Sequence, residues 1–165
     1  MYNNFITKSF PYILIFFFIF FEFSPIYFFE NQLIRPYMTF TVVYCWICHD
    51  FQRFRPLSLM IFGLFYDLLQ TEVVGITCLF FILIYHVQRK KSGNLISFDF
   101  KETWIKFTIY LLIYIVTSMI VNVLFNDTNF NFKSNFLCFI LSIALFPLFF
   151  SIIDKLSYKF RGYND

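Results

Sequence analysis

Residues 107–126 read FTIYLLIYIVTSMIVNVLFN, twenty positions without one charged side chain. At 1.5 Å of rise per residue such a run makes about 30 Å of helix, the thickness of a bilayer's hydrocarbon core. A second uncharged run of the same kind, SNFLCFILSIALFPLFFSII at 134–153, follows after a short polar break. The pair reads as two antiparallel membrane-crossing helices, and the rest of the chain agrees with it. Hydrophobic residues make up 59% of the 165 positions and charged residues 14%, against about 45–50% apolar and about 25% charged in soluble domains. The chain therefore reads as an all-α membrane protein, a single integral membrane domain over residues 1–165, with no room for a soluble module beside it.

Working back toward the N-terminus, four shorter apolar segments complete a set of six expected transmembrane helices, at about 10–29, 34–49, 56–71, 73–88, 106–126 and 134–153. The first is broken only by Glu22 and Pro25, and the third contains Asp67. No small-residue cleavage site follows the first segment, so it is expected to stay as a span and not to act as a secretory signal. Lys and Arg collect in short cytoplasmic loops. With both termini cytoplasmic, six spans put 11 of the 13 basic residues on the cytoplasmic side and leave Arg35 and Lys133 outside. The net charge of +3 thus reports topology and contact with membrane lipids, and no nucleic acid is expected as a partner.

Asp67 is the residue that most needs a reason. An acidic side chain at the centre of a membrane helix costs about 2.5–3.5 kcal/mol on insertion scales, so it marks a packing partner, an ion path or a binding site. Asp67 falls near the outer end of its span, and Glu22 lies about 10 Å of helix below the outer end of the first. Both carboxylates are expected in the outer half, lining one polar pocket with Arg35 as counter-ion. The duller reading has Asp67 bonding a neighbouring helix end and Glu22 filling a turn kinked by Pro25. Gly63, four residues before Asp67, shares its helix face and allows close helix approach. Gly75 suits the turn that opens the fourth span.

Other residues invite chemistry and fall short of it. Cys45 and Cys48, followed by His49 and Asp50, suggest a metal or redox site, but zinc needs about four ligands and no second pair has the spacing. On adjacent turns of an apolar helix both thiols behave as small hydrophobes. Cys78 and Cys138 are isolated, and no disulfide is expected. His86, just before Arg89, reads as an interfacial side chain, and Tyr44 and Trp46 fit the aromatic belt at headgroup level. There is no Ser-His-Asp arrangement and no Gly-rich phosphate cradle, so no catalytic residue, cofactor or metal is assigned and the chain is not expected to be an enzyme.

The ordered residues Arg35-Pro36, Tyr44-Cys-Trp46, Gly63-Leu-Phe-Tyr-Asp67-Leu-Leu and Gly75-Ile resemble the MreD family of rod shape-determining bacterial membrane proteins. The resemblance covers about residues 35–85, with Cys45 and Thr77-Cys78 departing from the family's usual residues. It implies a multi-pass protein of the bacterial cytoplasmic (inner) membrane, a scaffold of the cell-elongation machinery that maintains rod shape. It also implies partners: an MreC-like periplasmic protein, an MreB-like actin homologue, and the RodA and penicillin-binding-protein wall synthases of peptidoglycan synthesis. The fold it implies is a six-helix arrangement similar to the substrate-binding subunits of energy-coupling-factor transporters. On that basis Asp67, Gly63, Gly75, Pro36, Arg35, Trp46 and Glu22 are the structural or partner-binding candidates, with the compact region from Pro36 to Val87 as the main interaction surface. Two other functions fit the same pattern of spans. One is a substrate-binding subunit of such a transporter, although the first span carries no Ala or Gly for a small-residue docking face. The other is a small ion-coupled carrier using Glu22 or Asp67.

Overall fold

A computed structural model describes residues 2–23, 35–50, 54–70, 73–91, 99–126 and 132–161. The segments around Pro25, from Glu30 to Ile34 and from Asp127 to Asn131 lie outside those residues, as do the parts of the expected first span and outer loops that fall on them. The described residues form six α-helices: α1 (Tyr2–Phe23), α2 (Met38–His49), α3 (Pro56–Gln70), α4 (Ile76–Lys91), α5 (Phe100–Asn126) and α6 (Phe132–Arg161). Two stretches, Phe100–Phe125 in α5 and Ser134–Lys159 in α6, are long and apolar enough to cross a membrane.

The helices begin where local chemistry permits. Pro56 occupies the first position of α3, where its missing N–H is no loss. The Arg55 carbonyl just ahead accepts bonds from the Ser58 amide at 3.0 Å and the Ser58 hydroxyl at 2.7 Å. In α5 the Asp99 carbonyl accepts from the Thr103 amide at 3.0 Å and its hydroxyl at 3.0 Å. Both long helices start or end beyond the uncharged runs. Glu102 and Lys106 pair one turn apart on α5, so charge at this end of the helix is solvated and paired and does not stop it. α6 likewise continues through Asp154, Lys155 and Lys159, all exposed.

α2 is the centre of the fold. Every residue from Thr39 to His49 is buried, because α1, α4, α5 and α6 all pack on it. At 12 residues it is only about 18 Å long. Protein on every side removes the need to match a hydrocarbon thickness. An aromatic spine makes the contact: Phe40 lies 5.1 Å from Tyr114 of α5 and 5.8 Å from Phe81 of α4, centroid to centroid. Tyr44 lies 5.3 Å from Phe107, which stacks on Phe146 of α6 at 4.5 Å. The Tyr44 hydroxyl donates to the Thr103 carbonyl at 3.2 Å. Tyr44 and Trp46 are both 0% exposed, which corrects their assignment to a headgroup belt: on a fully sheathed helix these rings fill the core. The same burial removes α2 from the expected interaction surface.

Large apolar side chains point outward instead. Leu57, Ile61, Leu64 and Leu68 line one face of α3, and Ile109, Leu112, Val116 and Ile120 one face of α5, all exposed, while Glu22, Asp67, Thr77, Asn122 and Ser142 are buried. Polar groups inside and apolar groups outside invert the usual soluble pattern.

Candidate functional site

α3 and α4 form a hairpin closed at one end by Asp67. Its Oδ2 accepts the Gly75 amide at 2.7 Å and its Oδ1 the Thr77 amide at 3.3 Å. These N–H groups open α4 and have no partner inside the helix, and a carboxylate there also meets the positive end of the helix dipole. Gly75 takes φ +112°, a backbone state that side-chain-bearing residues rarely adopt. The amide is thereby aimed back at α3. Asp67 is 3% exposed and helps to set the position of α4. Replacing it by Asn keeps one acceptor and turns an N–H toward the other amide. The Asp67→Asn protein is expected to lose about 1–2 kcal/mol of stability, read as a lower unfolding midpoint in detergent, whereas an unchanged midpoint would deny the cap its role.

Gly63 sits one turn back on the same helix. A Cβ added there would stand 2.5 Å from Cys78 Cα and 2.7 Å from Cys78 N, so the backbones of α3 and α4 touch without a side chain between them. Thr77 completes this side of the hairpin: its hydroxyl and that of Tyr114 on α5 are 2.9 Å apart.

Glu22 organises the neighbouring junction. Its Oε2 accepts the Thr39 amide, the second residue of α2, at 2.9 Å, and its Oε1 accepts the Tyr66 hydroxyl of α3 at 2.6 Å. One carboxylate thus ties α1, α2 and α3. It also faces a cavity of about 230 Å³, walled by Glu22 and Phe23 of α1, Arg35 and Tyr37 ahead of α2, and Tyr66 and Gln70 of α3. Ser134, Asn135 and Cys138 of α6 close the far side. Arg35 lies over the Phe23 ring at 5.8 Å, and its Nε is buried with no hydrogen-bond partner among the described residues. Asp67 does not line this cavity. The expected common pocket for both carboxylates is therefore corrected: Glu22 and Arg35 share it, while Asp67 is turned toward the start of α4. Pro36 enters through its carbonyl, which accepts the Met38 amide at 2.7 Å, while the Tyr37 amide donates to Ser142 Oγ at 2.8 Å.

At the opposite end, the Cys-His-Asp stretch serves packing. His49 Nδ1 bonds the Cys45 carbonyl at 2.8 Å, and Nε2 pairs with Asp154 Oδ1 of α6 at 3.2 Å. Its ring lies 4.7 Å from that of Phe150. Gln88 Nε2 donates to Cys48 Sγ at 3.2 Å. All four cysteines are buried and none forms a disulfide, and among the described residues no cluster of His, Cys, Asp and Glu could hold a metal ion. Thr39, Tyr66 and the His49–Asp154 pair were not singled out by sequence reasoning, and Thr77 entered it only as a departure from the family's usual residues. Tyr66 carried a signal, being the polar neighbour of Asp67 in an apolar helix, and Thr39 a weaker one as a hydroxyl inside an apolar run; Asp154 carried none.

No curated protein and no solved structure matches the chain. A family model described as rod shape-determining protein MreD matches residues 3–156 of the 165. That match spans all six helices almost completely, including both ends of the Asp67 hairpin and the Glu22 junction. The chain belongs to the family of the rod shape-determining protein MreD.

Proposed function

We propose that this chain is a non-enzymatic scaffold of the bacterial cell-elongation machinery, a single six-span domain of the cytoplasmic membrane with both termini inside. The observation that carries the reading is the family match over residues 3–156. The bias of basic residues toward one side supports the orientation, and the outward apolar faces of α3 and α5 suit contact with lipid or with other spans. In this orientation the Asp67 cap and the Glu22 cavity both lie at the outer end. The partners in this reading are an MreC-like periplasmic protein, an MreB-like actin homologue, and RodA and penicillin-binding-protein wall synthases.

Burial of α2 narrows the surface available to such partners. Among the described helices of the compact region, α3 and α4 offer outward faces. Recognition there rests on van der Waals packing and a few hydrogen bonds of roughly 0.6–2 kcal/mol each, so many shallow contacts must act together. A photo-crosslinking residue at Ile61 or Leu64 of α3, introduced one at a time in native membranes, is expected to capture other membrane proteins of wall elongation. The same probe at Leu112 on the outer face of α5 is expected to capture lipid. Adducts with an ATPase-coupled transport subunit from the α3 positions, or none at all, would overturn the reading.

A further inference from the structure

In Glu22 and Arg35 the cavity between α1, α3 and α6 carries hydrogen-bonding capacity that the fold does not use up. Glu22 is 7% exposed, and each of its oxygens accepts one hydrogen bond from the protein, from Thr39 and Tyr66. A carboxylate has about four acceptor sites, so acceptor capacity is left on the cavity wall. Arg35 brings the opposite need: its Nε is buried without a partner among the described residues. A planar guanidinium is built to take a carboxylate through two parallel N–H···O bonds. Gln70, Ser134 and Asn135 add amide and hydroxyl groups to the same lining. A carboxyl group and a guanidinium on one small wall match the two ends of a zwitterion.

Size narrows the occupant further. At about 230 Å³ the cavity falls below the roughly 300–1,000 Å³ of sites for drug-sized ligands, which suits an occupant of a few heavy atoms. We propose that this cavity binds a free amino acid, its carboxylate on Arg35 and its ammonium group on Glu22. Binding would order the junction of α1, α2 and α3, since Glu22 already holds the amide of Thr39 and the hydroxyl of Tyr66. The proposal is independent of the scaffold reading, because it concerns a site inside the chain and not its partners.

The test uses the full-length protein in lipid nanodiscs, titrated with glycine, L-alanine, D-alanine and L-glutamine, and with acetate and methylammonium as the separate halves. Thermal unfolding and calorimetry are read together. At least one amino acid is expected to raise the unfolding midpoint and to saturate at a Kd near or below about 1 mM, with each half roughly tenfold weaker or worse. Glu22→Gln is expected to weaken binding by about tenfold, and Arg35→Gln to abolish it. Ser134→Phe, which fills the cavity and leaves both charges in place, is expected to abolish it too, and carries the test if the arginine variant does not fold. The proposal is overturned if no amino acid at about 10 mM moves the wild-type midpoint. It is equally overturned if acetate alone binds as well as the amino acids, or if Ser134→Phe binds as the wild type does.

Discussion

Replacing Gly63 by valine is expected to open the α3–α4 hairpin and to leave the protein unstable in detergent. The added Cβ would meet Cys78 Cα at 2.5 Å and Cys78 N at 2.7 Å. Both are backbone atoms inside α4, so no rotamer change can clear the space, and the helices themselves must part. Overpacking a well-filled interior costs about 1–3 kcal/mol, and more where the surroundings cannot shift. Gly63→Ala is accordingly expected to cost about 2 kcal/mol and Gly63→Val more than about 3 kcal/mol. Parting the helices also draws the Gly75 and Thr77 amides away from Asp67, so the cap and the close approach should fail together. Unfolding midpoints in detergent check the order wild type, alanine, valine. Shortening Cys78 to alanine should not rescue either variant, because the clash is with the main chain. A stable Gly63→Val protein would show that α3 and α4 do not approach as described.

Glu22→Ala is the second large expected effect. It strips the acceptor from the Thr39 amide and from the Tyr66 hydroxyl, two buried donors on different helices. Each buried group left unpaired costs about 1–3 kcal/mol, and membrane hydrogen bonds sit toward the low end of such values. A loss of about 3 kcal/mol is expected in total, with Glu22→Gln closer to about 1 kcal/mol because its carbonyl still accepts one of the two. A double-mutant cycle separates this from a general disturbance. Tyr66→Phe should destabilise the wild type yet cost nothing, or restore stability, in the Glu22→Ala background. Additive losses would mean that the two side chains do not act as a pair.

The two long helices were legible in the sequence because the uncharged runs at 107–126 and 134–153 are each long enough for a membrane-crossing helix. Their real lengths were not, since Glu102–Lys106 pairing and the solvated Asp154, Lys155 and Lys159 continue the helices past the runs. α2 was legible as a helix but not as the core. Its apolar run looks the same whether lipid or protein surrounds it, and Tyr44 and Trp46 suit a headgroup belt as well as an interior. Among its residues only Thr39, Thr41 and His49, polar and yet inside the run, hinted at protein on every side. Asp67 and Gly75 could be recognised one by one as a buried acid and a turn glycine. That the first caps the helix opened by the second depends on a positive φ and an eight-residue return, which spacing alone does not fix. Glu22 and Arg35 were paired by topology and do share the cavity. Ser134 and Asn135, about a hundred residues away in sequence, complete it through the packing of α6 on α2.

The most direct measurement on the proposed function is quantitative copurification. The tagged chain is solubilised from native membranes at its natural level, with Gly63→Val as the control for an intact hairpin. The account predicts recovery of an MreC-like protein with RodA or penicillin-binding-protein wall synthases, and loss of them with the Gly63→Val chain. Recovery of an ATPase and a transport coupling subunit in their place would contradict it.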